Sequence, residues 1–307
     1  MIRYEWLGMS AVLGYCFISA FSRVFVSNVL QIQDPVTLSF YIFTLGALIF
    51  ATANIHRYRL LFAKLKSNKM NLMYLNITTM GSWLFLAYPL KFIEPAIVST
   101  ITLGIGPILS LLLSDKLYIR SEKSFLDILI AGGLFLVILF LINVCLYTNE
   151  GNNDISLYNK IVSLMCCTIV GISIVVNGFQ TRKLINNDFS SLDILMLRFI
   201  LLIFVSGIIT FVYHPDISIL SGMMDRDIVF SSLIFVVLPL FLIQLSMRQL
   251  KPITISMMIP LMPVLTYFFE RYDQRLITFN HTLYAILMVF FLMLLATYIR
   301  LSRRVSA

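Results

Sequence analysis

Ten apolar runs, most of them about 20 residues long, follow one another along the chain with only short polar connectors between them. They fall near residues 5–26, 37–54, 70–90, 95–114, 124–148, 158–180, 192–213, 228–250, 252–270 and 277–300. About 20 apolar residues is the length an α-helix needs to cross the hydrocarbon core of a bilayer. Backbone amides have no water to bond with there, so each run is expected to be helical. Composition agrees: 59% of the 307 residues are hydrophobic and 12% charged, against about 45–50% and about 25% in soluble domains. An all-α integral membrane protein of ten transmembrane helices is therefore expected, with no room for a separate soluble domain. The first run exceeds a signal-peptide apolar region of about 7–15 residues and is read as an uncleaved helix.

The formal charge of +8 would suggest a nucleic-acid partner if the basic residues formed a patch, but their placement points elsewhere. With the N-terminus on the cytoplasmic side, sixteen of the 23 Lys and Arg fall on cytoplasmic connectors and ends, and five on the opposite side. The positive-inside bias thus predicts a multi-pass protein of the cytoplasmic (inner) membrane with both termini cytoplasmic. Its partners are the lipid bilayer, whose anionic headgroups the basic excess faces, and a small-molecule substrate, with no nucleic acid.

Laying one half of the chain over the other reveals a repeat. Tyr88–Leu117 and Leu245–Leu276 each contain a helix-starting proline (Pro95, Pro252), a mid-helix proline (Pro107, Pro263), and an acid followed by a base (Asp115-Lys116, Glu270-Arg271). The spacings between matched positions, 157, 156 and 155 residues, drift by one at each step. Residues 1–150 and 151–307 are thus expected to be two five-helix repeats. Five is odd, so the second repeat enters the membrane inverted, an architecture that places a binding site near the midplane between the halves.

On these residues the chain resembles the EamA-type members of the drug/metabolite transporter superfamily. The matches are Glu94-Pro95 through Pro107 to Asp115, the second copy from Lys251-Pro252 through Pro263 to Glu270, the glycine-bearing stretch at 129–134, and GISIVVNGFQTRKL at 171–184. The resemblance implies ten helices in two inverted repeats around a central cavity, and transport of a small solute. It also implies an arginine near the middle of the second helix of each copy. Arg198 supplies it in the second, while DPVTLSFYIF in the first has none. The tenth helix lacks the glycines of the fifth, so a tight crossing is expected only in the first half.

Charged residues at membrane depth cost about 2.5–3.5 kcal/mol each on insertion scales and are functional candidates by default. Arg198 is expected either to hold a carboxylate or phosphate at the cavity or to pair with Asp193 and snorkel to the headgroups. Arg23, near the end of the first helix, is expected to bind substrate or to snorkel. The uncharged candidates for substrate contact are Asn76, Trp83, Tyr88, Ser99, Thr102, Asn177, Gln180, Gln244, Thr254 and Ser256, polar groups able to converge on a mostly apolar pocket. Asp115 and Glu270 are candidates for proton coupling, although their neighbours Lys116 and Arg271 suggest ion pairs that anchor helix ends. Pro107, Pro239, Pro260 and Pro263 are expected to kink their helices.

Neither enzyme chemistry nor a metal or cofactor is expected. His56, His214 and His281 are scattered, Cys16, Cys145, Cys166 and Cys167 lack ligand spacing, and no P-loop occurs. The functional expectation is a secondary transporter, an exporter of a small metabolite such as an amino acid or related amphiphile. The alternatives are an antiporter for phosphorylated or nucleotide-linked sugars and a non-transport membrane enzyme or scaffold.

Overall fold

The computed structural model describes residues 2–57, 64–65, 67–112, 125–147, 156–214, 222–250, 252–273 and 280–305, and no strand occurs among them. The helices are α1 (Ile2–Ile32), α2 (Pro35–Ala53), α3 (Lys69–Phe92), α4 (Pro95–Leu112), α5 (Phe125–Tyr147), α6 (Leu157–Asn186), α7 (Ser191–Leu197), α8 (Ile200–Tyr213), α9 (Arg226–Ser231), α10 (Leu238–Gln249), α11 (Pro252–Met258), α12 (Leu261–Glu270) and α13 (Asn280–Val305). A π-helical segment, Ser232–Val237, joins α9 to α10. Each apolar run of the sequence coincides with one helix or with two helices in line.

Among the described residues, seven stretches are long and apolar enough to cross a membrane: Trp6–Ile32, Pro35–Ala53, Ile128–Tyr147, Leu157–Asn186, Ser191–Tyr213, Arg226–Gln249 and Asn280–Ile299. This is the composition of an all-α, multi-pass membrane protein. Its surfaces match: along α1 the exposed Leu7, Leu13, Phe17 and Phe21 form one apolar stripe, while Val12, Cys16, Ala20 and Arg23 form the buried one. A helix apolar on both faces suits a position between lipid and a protein core.

Local chemistry fixes the helix ends. Asp34 accepts the N–H groups of Val36 and Thr37 at 3.0 Å each, and the cap restarts the chain as α2 two residues after α1 ends. Ser190 and Asp193 form a capping box at the start of α7.

The interruptions have different causes. Pro263 has no N–H to offer the carbonyl of Ile259, and the chain turns at Ile259–Pro260 between α11 and α12, where Met262 bonds that carbonyl instead at 3.0 Å. Pro239 likewise cannot bond Phe235, and the π segment absorbs the defect. Pro107, by contrast, lies inside an uninterrupted α4.

The core is built from helices of both halves. α3 packs extensively on α6, α1 on α10 and α12, α4 on α6 and α12, α2 on α8, and α5 on α13. Phe43, Phe199, Leu30, Leu90 and Ile101 lie fully buried within it. The close crossings are not where the fifth-helix glycines suggested. A Cβ on Gly132 would meet nothing within 4 Å, and one on Gly133 would make only an ordinary 3.4 Å contact with Leu292. Tight approaches occur instead elsewhere, among them at α6, where a Cβ on Gly171 would stand 3.0 Å from the Thr102 carbonyl and one on Gly81 would collide with Ser173.

Candidate functional site

The site is organised by a helix break that no proline marks. Between α7 and α8, at Arg198 and Phe199, the regular ladder lapses. The bond an unbroken helix would make there runs from the Leu201 N–H to the Leu197 carbonyl. The Asn76 carboxamide of α3 takes both ends of it, with Oδ1 accepting from the Leu201 N–H at 3.1 Å and Nδ2 donating to the Leu197 carbonyl at 2.9 Å. Nδ2 also donates to Leu72 O at 3.0 Å. Asn76 therefore splices the broken helix, and its amide is spent on backbone instead of facing a cavity as expected. Buried backbone groups must be paired, so the break depends on this side chain.

Arg198 stands at the break and is only 6% exposed. Its Nη2 donates to Asn177 Oδ1 on α6 at 2.8 Å, and Nε donates to Thr79 Oγ1 on α3 at 3.4 Å. Asn177 Nδ2 in turn donates to Thr79 Oγ1 at 2.8 Å and to Thr78 Oγ1 at 3.2 Å, which holds its oxygen toward the guanidinium. The guanidinium also lies 5.7 Å from the centre of the Phe199 ring. The pairing of Arg198 with Asp193 does not form. Asp193 instead accepts from Asn54 Nδ2 at 2.8 Å and from the Ser190 N–H at 2.8 Å, one turn earlier on α7.

Arg23 does not snorkel either: it is 7% exposed, and its Nη1 donates to Ser99 Oγ on α4 at 2.8 Å. Tyr15, half-buried on the inner stripe of α1, lies within electrostatic reach of both guanidiniums. Phe199 in turn contacts Phe43 at 5.2 Å, and Trp83 packs edge-on between Phe43 and Phe235, each 5.3 Å away. Arg198 is thus held by a hydroxyl and an amide group beside the Phe199 ring, and Arg23 by a hydroxyl, with no carboxylate paired to either among the described residues.

The other expected contacts divide. Tyr88 lies nearer a helix end, donating to Asn159 Oδ1 at 3.2 Å. Thr102 spends its hydroxyl on the Val98 and Ser99 carbonyls of its own helix, at 2.8 and 3.1 Å. Gln180 and Gln244 each keep a buried, unpartnered Oε1. Thr254 is half-buried. The side chain of Ser256, and Asp115 altogether, lie outside the described residues.

Glu270 does not join Arg271 at an exposed helix end: Arg271 is exposed, while Glu270 is fully buried and accepts the Ala96 N–H at the start of α4 at 2.5 Å. A separate cleft of about 280 Å³, lined by Asp34, Thr37, Thr210, Tyr213 and His214 among others, contains none of the predicted residues.

Sequence reasoning missed Thr79, Thr78 and Tyr15. Hydroxyls on a membrane helix usually bond back to their own preceding turn, and only the fold brings Thr79 to within reach of residues 98 and 119 positions later.

No family model matches the chain, and no curated protein matches it. Among solved structures, a crystal structure of a protein aligns with a TM-score of 0.63 at 13% identity, covering 99% of this chain and 98% of that one. At that identity the likeness speaks for the fold alone.

Proposed function

We propose that this protein is a secondary transporter of the cytoplasmic membrane, an exporter that moves a small metabolite bearing an anionic group by alternating access. The observation that carries this reading is the pair of buried guanidiniums, Arg198 and Arg23, bonded only to neutral groups. A buried charge without a counter-charge is costly, and each of these helices would be easier to insert with an apolar residue in its place. An anionic cargo supplies the missing charge when it binds. Thr79, Asn177, Ser99 and Tyr15 would orient it, and Trp83 with Phe43 and Phe235 would cover its apolar part. An amino acid or related amphiphile fits this chemistry.

The ten-span, inverted-repeat architecture belongs to the same proposal. Its support is a packing pattern that keeps its form when the halves are exchanged. α1 on α10 has its counterpart in α6 on α3, and α1 on α12 in α6 on α4. The contacts α2 on α8, α4 on α12 and α5 on α13 each join a helix to its own counterpart. The resemblance to EamA-type transporters, the cytoplasmic termini and the absence of enzymatic chemistry are further parts of this reading. An antiporter for phosphorylated or nucleotide-linked sugars is the second reading, favoured by the same two guanidiniums.

Untargeted mass spectrometry of medium and cell extract, from strains lacking or overproducing the protein, tests the proposal. The expected result is an anionic or zwitterionic compound that rises outside on overproduction and accumulates inside on deletion. No difference in either compartment would overturn the exporter reading, and a phosphorylated sugar would replace it with the second.

A further inference from the structure

Glu94 lies in the two-residue connector between α3 and α4, and its Oε2 is buried without a hydrogen-bond partner. Across from it, Glu270 brings a second carboxyl group from the end of α12. Glu270 Oε1 accepts the Ala96 N–H, so the end of α12 caps the start of α4 and ties two helices of different halves together. Its Oε2, like that of Glu94, is buried and unpartnered, and the two groups lie in each other's electrostatic field. Two carboxylates placed together out of water resist being ionised at once, and an unpartnered anionic oxygen in such a place is costly. Glu270 has a helix-start N–H to support its negative charge. Glu94 has none.

We propose that Glu94, set against Glu270 at this cap, is the group that takes up and releases the coupling proton of the transport cycle. This rests on the transport reading above. With the proton on Glu94, its carboxyl adds no charge at the cap and the α4–α12 contact stays closed. When the proton leaves to water, the negative charge left on Glu94 faces the buried Glu270 carboxyl and favours separation of the two helix ends. The proton balance is simple: one proton enters from water on one side, is held on a Glu94 carboxyl oxygen, and is released to water on the other after the helices rearrange.

Burial supports the assignment by pushing the Glu94 carboxyl up to about 7. Other titratable groups surround the pair. Cys145 on α5 and Lys160 at the start of α6 share the surroundings of Glu94, Lys160 being the cation among them, and Asp273 faces Glu270. Tyr267 on α12 and His281 on α13 stand on the elements packed there.

The test needs no cargo at its first stage. Infrared difference spectra of the full chain in lipid vesicles, taken between mildly acid and mildly alkaline medium, should show a protonated-carboxyl carbonyl band lost with a midpoint near 7. Glu94→Gln should abolish the band and Glu94→Asp should retain it at a shifted frequency. Glu270→Gln should leave a titrating band on Glu94, because the burial that shifts it is unchanged. A band unchanged in Glu94→Gln would overturn the proposal. At the second stage, export of the compound identified above should respond to an imposed pH gradient in the wild type and lose that response in Glu94→Gln. Retention of the full response would overturn the coupling role, whereas the absence of any exported compound would instead count against the transport reading.

Discussion

α2 and the α7–α8 pair, which pack on each other and would be counterparts in the proposed repeat, solve the same problem differently. α2 runs unbroken from Pro35 to Ala53, and its polar side chains bond to their own helix: Ser39 Oγ to Pro35 O at 2.7 Å and Thr44 Oγ1 to Phe40 O at 2.6 Å. α7–α8 gives up one rung of its ladder and lets Asn76 fill it from a neighbouring helix. A self-contained helix can carry only packing, whereas an interrupted one can hold a charged side chain at the interruption and fix it against two other helices. Among its described residues the first half shows no such break, and its buried cation, Arg23, comes from α1 and is held by Ser99.

Substitutions that act on one helix and not on the other probe this contrast. The largest effect is expected from Arg198→Ala. Loss of a charge-assisted hydrogen bond to cargo is worth about 1.5–3 kcal/mol, roughly a ten- to hundredfold fall in transport, with membrane insertion intact. Arg198→Lys should recover part of it, since the charge remains without the planar fork. Asn76→Leu should follow, leaving the Leu201 N–H and Leu197 carbonyl unpaired at about 1–3 kcal/mol for each group. It should therefore lower the thermal midpoint in detergent as well as transport. Thr79→Val, which removes one hydroxyl from the Arg198 network, should cost about 1 kcal/mol and be seen mainly as weaker apparent affinity.

Ser39→Ala and Thr44→Ala on α2 should change stability by less than about 0.5 kcal/mol, because each hydroxyl serves only its own helix. A large effect on α2 or a small one at Asn76 would break the comparison.

A pH series extends it to the end of the bundle. Glu94 binds its proton more tightly in the folded state, at about 7, than at its ordinary 4.5. Its contribution therefore favours folding most below the ordinary value and declines as pH rises through the interval up to about 7. Glu94→Gln should flatten that part of the curve of thermal midpoint against pH.

The positions of the helices were legible because membrane depth forces long apolar runs, and Pro260 with Pro263 correctly marked a broken helix. The break at Arg198 was not legible, since no proline or glycine sits there and its stability comes from a residue more than a hundred positions away. Asn76 was misread for the same reason: an amide at membrane depth has the same sequence signature whether it binds a ligand or mends a backbone. Arg198, Arg23, Ser99 and Asn177 could be picked out one by one as buried polar groups, but their grouping depended on how α1, α3, α4 and α6 pack. Glu270 was recognised as an acid at a helix end, while its turn inward to Ala96 required the α4–α12 contact.

Arg198 is proposed to hold an anionic group of the cargo. Its most direct test is to compare, in vesicles, wild type and Arg198→Ala for transport of the identified compound and of its neutral amide or ester analogue. The wild type should strongly prefer the anion, and the variant should lose the preference while still handling the neutral analogue. An undiminished preference for the anion in Arg198→Ala would contradict it.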